Sequence, residues 1–265
     1  MADYAFTFAP AILGHLISLP ALIGAFAIAK AFEPALDALL GPALPHSAFS
    51  LVGELVYLAG WIVIYDFGIF FAHWGMHKSS LLWEFHKVHH SAEVLNPLTV
   101  FRQHPVDAIV LDFVPNFFVA LFLVVFARWH QPGLYGYVVI GVSADCWLRL
   151  VGFQHLRHTH MPFYYPASLN RFLISPSAHQ LHHSSEERHF DRNFGNILAI
   201  WDHLFGTYIA PSREDRYRLG LAGGEEREYR HAVHLLLLLP IVKAARVCLS
   251  GVGKPLEGLK RLFAA

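Results

Sequence analysis

Charged residues are scarce in this chain. Only 15% of its 265 residues are Asp, Glu, Lys or Arg, whereas 55% are hydrophobic and the mean hydropathy is +0.40. A soluble domain usually carries about 25% charged residues. The composition therefore predicts that much of the surface faces a medium other than water.

A net charge is absent and cysteine is rare. With neutral histidines the formal net charge is zero, so no broad basic field is available to bind nucleic acid. The two cysteines, Cys146 and Cys248, lie in apolar surroundings and form no metal-binding spacing. This pattern indicates a reduced compartment without disulfides.

Long apolar stretches are plentiful. Phe8 to Ala29 contains 22 residues without a charged side chain, enough to cross about 30 Å of hydrocarbon at about 1.5 Å per residue. No positively charged segment precedes it, so an anchor is favoured over a cleaved signal peptide. We predict one all-α integral-membrane domain over residues 1–265, with four spans at about 8–29, 51–72, 108–126 and 133–152.

Basic residues orient this bundle. Of the twenty Lys and Arg residues, only Lys30 and Arg128 lie on the predicted hairpin loops. The other eighteen lie on the opposite side of the predicted bundle. The positive-inside rule then makes residues 73–107 and 153–210 a cytosolic helical cap. Residues 211–265 are predicted to be interfacial: a solvated charged stretch at 213–230, an apolar stretch at 232–242 too short to span, and a membrane-surface helix at 254–263.

Histidine is the residue in excess, with 19 copies. The runs 86–90 and 179–183 both read HxxHH, and positions i, i+3 and i+4 share one face of a helix. A solvated face would use Lys or Glu, and a packed face would avoid three polar rings. Two internal copies therefore predict a metal-binding surface.

Further histidines follow the second and fourth predicted spans. His73 and His77 share a helix face with Asp66, and His158 repeats their position in the second half of the chain. His155 and His160 are expected at the rim, and His104 as a helix cap or phosphate ligand beside Arg102. The candidate metal ligands are His73, His77, His86, His89, His90, His158, His179, His182 and His183.

Nine imidazoles exceed the coordination number of one ion, so two metals are predicted. Asp191 or Asn193 is expected to orient a ligand histidine by accepting its second N–H, and Asp66 is a further candidate for this role. A site at the cytoplasmic mouth of a membrane bundle would meet lipid-like molecules. Attack on their unactivated C–H bonds needs O₂ activation, which favours two irons over two zincs.

The ordered boxes HxxxH (73–77), HxxHH (86–90), QxxxH (154–158) and HxxHH (179–183) resemble the fatty acid hydroxylase and sterol desaturase superfamily. Arg102 to Pro105 and the stretch from Asn193 to Thr207 also fit, so the resemblance covers about residues 50–210. It implies a membrane di-iron enzyme with four spans and a cytosolic cap, using O₂ and an external electron donor. Gln154 stands where some members carry histidine.

The resemblance leaves the reaction open. It implies hydroxylation of a fatty acyl, sterol or ether lipid, with desaturation as the alternative, and the 154–159 pattern is most similar to the alkylglycerol monooxygenase branch. No GxGxxG fingerprint or fused haem domain is found, so a cytochrome b5-like protein, a ferredoxin or a reductase is expected to supply electrons. The chain's end carries no organelle retention signal, which favours a bacterial inner membrane.

Two other classes compete with an oxygenase. A membrane zinc hydrolase would use the same imidazoles with Glu93 or Asp191 as a general base, and would need no O₂. A metal transporter would need ligands along the spans, whereas these histidines cluster at the ends of the spans.

Overall fold

The computed structural model describes residues 30–42, 50–129, 154–229 and 233–251, with positions 23, 27, 28, 138–139 and 142–143. Most of the predicted first span, 8–29, lies outside these residues. Within the predicted fourth span, the described positions form two short antiparallel strands, β1 (Val138–Val139) and β2 (Val142–Ser143), instead of a helix. Their valines are β-branched, which favours extended backbone.

The other regular elements of the described chain are helices joined by turns and loops. Its α-helices are α1 (Glu33–Leu40), α2 (Leu51–Lys78), α3 (Ser80–His90), α4 (Pro105–Phe126), α5 (Gln154–Arg157), α6 (Ala167–Asn170), α7 (Pro176–His182), α8 (Ile200–Leu204) and α9 (Val233–Gly251). Short 3₁₀ helices cover Pro97–Phe101, Glu187–His189 and Ala222–Tyr229. An all-α architecture is thus confirmed for the long elements.

Three helices are long and apolar enough to cross a membrane, by length and composition: Leu51–Lys78, Pro105–Phe126 and Val233–Ser250. The first two match the predicted spans at 51–72 and 108–126. The third was expected to be a short interfacial helix, and that expectation of its length was wrong. The helix continues through Pro240, and Lys243 beyond it pairs with two carboxylates, with Nζ 2.5 Å from Glu225 Oε1 and 2.9 Å from Glu228 Oε2.

Helices α2 and α4 pack against each other as an antiparallel pair. Tyr57 near the start of α2 contacts Phe126 at the end of α4, with ring centroids 5.6 Å apart. Gly68 lies so close to Pro115 that a Cβ on the glycine would be 2.4 Å from the proline Cα. The absence of a side chain at Gly68 therefore sets the separation of the two helices.

Helix α9 packs beside α3 in a second apolar cluster. Val88, Leu221, Tyr229 and Leu236 are buried together there. Leu221 and Tyr229 lie within the charged stretch at 213–230 that was expected to be solvated, so that expectation was wrong for these two residues. The charged residues between them face ion-pair partners, including Lys87 Nζ 3.0 Å from Glu225 Oε1.

Candidate metal centre

The histidine boxes lie at the C-terminal ends of three helices. His73 and His77 occupy the last turns of α2, and His86, His89 and His90 end α3. The second HxxHH follows the same pattern: His179 and His182 end α7, and His183 is its C-cap. A helix C-terminus carries a partial negative charge, so all three ends favour a cation between them.

The nine predicted ligands come together in two groups. Within each group, one possible ligand atom per residue lies within 4.8 Å of every other. The first group contains His73, His77, His86, His90 and His182, and the second contains His89, His158, His179 and His183. Each group takes one histidine from the opposite half of the chain, so the two halves interlock at the site.

Hydrogen bonds fix the ring tautomers in the first group. The Nδ1 atoms of His73 and His182 lie 3.0 Å from Phe194 O and 2.7 Å from Arg192 O. Because a carbonyl only accepts, both Nδ1 atoms carry the hydrogen. His86 Nδ1 lies 3.0 Å from Asp107 Oδ1 and donates to that carboxylate in the same way.

Two rings of the second group are fixed similarly. His89 Nδ1 donates to Arg102 O at 3.3 Å. Thr99 Oγ1 donates its hydrogen to Asn96 O and therefore accepts from His158 Nδ1, at 2.9 Å. The Nε2 atom of each of these rings is left as a lone pair.

These lone pairs fit a metal. The Nε2 atoms of His73, His86 and His182 are buried without a protein partner. Nitrogen pairs approach across the site, with Nε2 atoms 3.2 Å apart in His77 and His90 and 3.1 Å apart in His158 and His179. Converging lone pairs repel unless a cation lies among them. Imidazole donors suit iron, zinc, copper and nickel.

Burial keeps the rings neutral and ready to bind. Desolvation, together with nearby histidines, lowers the pKa of His89 to about 4 and that of His182 to about 3. The pKa values of His90, His179 and His183 are also well below the ordinary range, for the same two reasons. A neutral imidazole is the form that binds metal, so no proton has to be displaced near neutral pH.

Of the residues expected to orient ligands, Asp191 lies closest to that role. Its Oδ1 is 3.7 Å from His77 Nδ1, and its Oδ2 is 2.6 Å from Lys78 Nζ. Asn193 does not face a ligand ring: its side-chain amide donates to Ala178 O and Ile209 O. Its neighbours Arg192 and Phe194 instead orient His182 and His73 through their carbonyls.

Asp66 docks a loop. Its carboxylate accepts hydrogen bonds from the backbone N–H groups of Ile197 and Leu198 and from Trp201 Nε1, at 2.8 to 3.1 Å. It shares a face with His73, as its spacing predicts, but binds the segment packed beside that face. Gln154 begins α5, and its side chain, like that of His155, lies outside the described residues.

His104 is a helix cap, one of the two roles proposed for it. Its Nδ1 accepts from Val106 N at 3.1 Å and its Nε2 donates to Leu237 O at 3.1 Å. His160 is exposed, as expected for the rim. Glu93 lines a different cavity, of about 700 Å³, together with Tyr217 and Arg218.

Three partners of the ligands were not predicted. Asp107 lies in the first turn of α4, and its buried carboxylate accepts the hydrogen bond from His86. The Asn96–Thr99 capping box, readable in the sequence, fixes the hydroxyl that holds His158. Backbone carbonyls leave no sequence signature, although the positive φ angles of Asp191 and Asn193 mark the loop that presents them.

A buried carboxylate supports that loop. Asp202 accepts hydrogen bonds from the N–H groups of Phe194 and Gly195 and from the Thr207 hydroxyl, at 2.6 to 2.8 Å. A Cβ on Gly195 would lie 2.7 Å from Asp202 Oδ2. The loop therefore requires glycine there to bring its backbone to the carboxylate and to aim the Phe194 carbonyl at His73.

Comparison with known proteins agrees with this geometry. The family model for fatty acid hydroxylases matches residues 58–207, which contain every histidine of the two groups. The chain belongs to the fatty acid hydroxylase family. The resemblance of its histidine boxes to this superfamily is thus confirmed.

The relatives of this family member are lipid enzymes. It is 27% identical over 155 residues to a human alkylglycerol monooxygenase, covering 58% of this chain and 31% of the relative. It is 29% identical over 165 residues to an ornithine lipid hydroxylase of Rhizobium tropici, covering 61% of this chain and 44% of the relative. A Delta(7)-sterol 5(6)-desaturase of Aspergillus fumigatus is 28% identical over 154 residues, which cover 58% of this chain and 39% of the relative.

The alignments thus span less than half the length of each of these relatives. No solved structure matches the chain.

Proposed function

We propose that this family member is a membrane-bound, O₂-dependent di-iron oxygenase that hydroxylates a C–H bond of a lipid. The observation that carries the proposal is the pair of all-histidine groups at the ends of apolar helices. The relatives that hydroxylate alkylglycerols and ornithine lipids support the substrate class. The reaction places one oxygen atom of O₂ in the C–H bond and releases the other as water, with electrons and protons from a donor.

The nine histidines would hold two irons, five ligands at the first and four at the second. Bound iron would supply the O₂ activation that amino-acid side chains lack. The protein's part is to fix the rings: Asp107, Thr99 and three backbone carbonyls hold the outer nitrogens. Burial of both groups keeps water away from the reacting bond.

The donor set favours an oxygenase over a hydrolase. Among the described residues, neither group includes a carboxylate that could act as a general base beside a metal-bound water. Asp191 is held by Lys78 on the outer side of His77. Desaturation is the second candidate, because a sterol desaturase is among the relatives. Substrate position decides between the two outcomes.

The excess of Lys and Arg on the histidine side supports a cytoplasmic site in a single membrane domain, which we place in a bacterial inner membrane. In this arrangement a cytochrome b5-like protein, a ferredoxin or a reductase would deliver electrons from the cytoplasm. The lipid would reach the site from the bilayer.

Lipid mass spectrometry under ¹⁸O₂ tests the proposal. Cells that express the chain should contain a lipid that has gained one labelled oxygen, whereas loss of two hydrogens would indicate desaturation. His182→Ala should abolish the product and most bound iron, and His160→Ala, at an exposed position outside both groups, should keep both. Products formed without O₂, or activity with zinc alone, would refute the oxygenase.

A further inference from the structure

Four large apolar side chains in the segments 169–172 and 204–205, outside the long helices, are exposed. The exposed fractions are 38% for Leu169, 61% for Phe172, 73% for Leu204 and 46% for Phe205. We name these four residues the platform. A surface of this kind in contact with water is unfavourable by about 25 cal/mol for each Å² of apolar area. An apolar medium is therefore expected at this surface.

The platform is one continuous surface built from two segments. Ala199 N donates to Phe172 O at 2.8 Å, and His203 Nε2 donates to Asn170 O at 3.1 Å. An antiparallel bridge also joins Leu173 to Leu198. These contacts tie α6 and its following turn to α8, so the four apolar side chains are displayed by one rigid unit.

The position of the platform along α2 gives its depth. Trp201 packs on Phe67 and Phe205 packs on Phe70, both with ring centroids 5.0 Å apart. Helix α2 begins at Leu51, and about 20 helical residues cross about 30 Å of hydrocarbon. Phe67 and Phe70 therefore lie where α2 reaches the boundary between acyl chains and headgroups, and the platform lies at the same level.

The apolar surface of α2 leads directly into the platform. Phe71, 38% exposed, contacts Trp74 at 5.9 Å, and Trp74 contacts Phe205 at 6.0 Å. The stretch 161–185 contains no acidic residue, and its one charged residue is Arg171, which is exposed beside Phe172. An exposed arginine beside apolar side chains suits an anionic lipid surface.

We propose that the platform lies in the bilayer leaflet on the histidine side, with Leu204 and Phe172 among the acyl chains and Arg171 at the headgroup phosphates. The platform is also close to the metal centre. Phe70, which contacts Phe205, lies 6.3 Å from Phe194, and Phe194 lies 5.5 Å from His73. If the proposed function holds, two aromatic side chains, Phe70 and Phe194, separate lipid at the platform from His73 of the first histidine group.

Spin labels in nanodiscs of mixed neutral and anionic lipids test the membrane contact. Labels are attached at Leu204→Cys or Phe172→Cys in a variant with Cys146→Ala and Cys248→Ser. The control label is at Glu214→Cys, an exposed loop position away from the platform. The experiment measures the access of each label to two reagents. Molecular oxygen concentrates in the hydrocarbon, and a polar nickel chelate stays in water. We expect the platform labels to favour oxygen and the control to favour the chelate.

Equal chelate access at positions 204 and 214 would overturn the proposal. Exclusion of both reagents at 204 would also overturn it, because it would indicate a protein partner, such as a second copy of this chain, in place of lipid. Retained bound metal shows that a labelled protein has folded. If the variant labelled at position 204 or 172 does not fold, a label at Leu169→Cys takes its place. None of these readouts uses turnover, so failure of the oxygenase proposal would not affect the result.

Discussion

At the residue scale, the two histidine groups differ in the hydrogen-bond partners of their Nδ1 atoms. In the first group, His86 donates to the buried carboxylate of Asp107, with exposed side-chain fractions of 2% and 0%. In the second, His89 and His158 donate to a carbonyl and a hydroxyl. A carboxylate partner makes an imidazole a stronger donor, so the first metal should be held by an electron-richer set.

Asp107→Asn should weaken metal binding. The amide oxygen can still accept from His86, but the negative charge that stabilises the cation is lost. Loss of such a partner typically costs about 10- to 100-fold in metal affinity. Metal retained against a graded chelator series measures the change, with Asp37→Asn, remote from the site, as the control. Unchanged metal retention in Asp107→Asn would mean that Asp107 serves only to position α4.

Acid should release the metal and destabilise the metal-free protein. The pKa of His89 is lowered to about 4 and that of His182 to about 3, whereas an unfolded histidine titrates near about 6.5. Below about pH 6.5 the unfolded chain therefore binds more protons than the folded chain, so stability present above that pH falls as the pH approaches 4 and then 3. Thermal melting at a series of pH values measures this. A flat profile between pH 7 and 4 would contradict the burial of neutral rings.

At the element scale, close helix contacts and buried carboxylates hold the groups in position. Gly68 brings α4 against α2, and Asp66, two residues before it, binds the 197–201 segment to the same helix. Asp202 then holds the loop whose carbonyl orients His73. The ligands of α2 are therefore aligned through contacts made two to three turns below them.

Gly68→Ala should destabilise the protein while Gly75→Ala does not. A Cβ at Gly68 meets the Pro115 backbone at 2.4 Å, whereas nothing lies within 4 Å of a Cβ at Gly75 in the same helix. Forcing the helices apart should cost about 1–3 kcal/mol. At Gly75, alanine should stabilise the helix by up to about 1 kcal/mol. Urea unfolding in detergent compares the two, and equal effects would refute the close contact.

At the scale of the whole molecule, metal binding should join the two halves of the chain. His182 from the second half completes the first group, and His89 from the first half completes the second. A metal bound in either group would therefore link α3 to α7 across more than eighty residues of sequence. Helices α2 and α4, by contrast, are joined by their own apolar core of Tyr57, Tyr65, Val119 and Leu123.

Removal of metal should loosen α3, α7 and the 192–195 loop together, with little change in the packing of α2 on α4. The reason is that the histidine lone pairs repel without a cation, while the apolar contacts of α2 and α4 do not depend on the ion. Hydrogen exchange measured before and after chelation would detect this. Uniform loss of protection through α2 and α4 would show that the whole fold depends on the metal.

The sequence by itself predicted the nine candidate ligands that the fold brings together, and it identified the family. The 3.6-residue period places i, i+3 and i+4 on one face, so each HxxHH could be read as a ligand surface, and apolar length identified the helices at 51–78 and 105–126. The length of the last helix was underestimated because the apolar stretch ends at Val242, whereas the helix runs on to Gly251. Lys243, the first residue beyond that stretch, pairs with Glu225 and Glu228 only in the folded chain.

Only the tertiary structure decided how the ligands are divided and oriented. The boxes suggested one half-site from each half of the chain, whereas the fold exchanges His89 and His182 between them. The role of Asp107 and the carbonyls of Arg192 and Phe194 were also invisible in the sequence. Local periodicity fixes the face of a helix on which a residue lies, but the partner of that face is set by how distant segments pack.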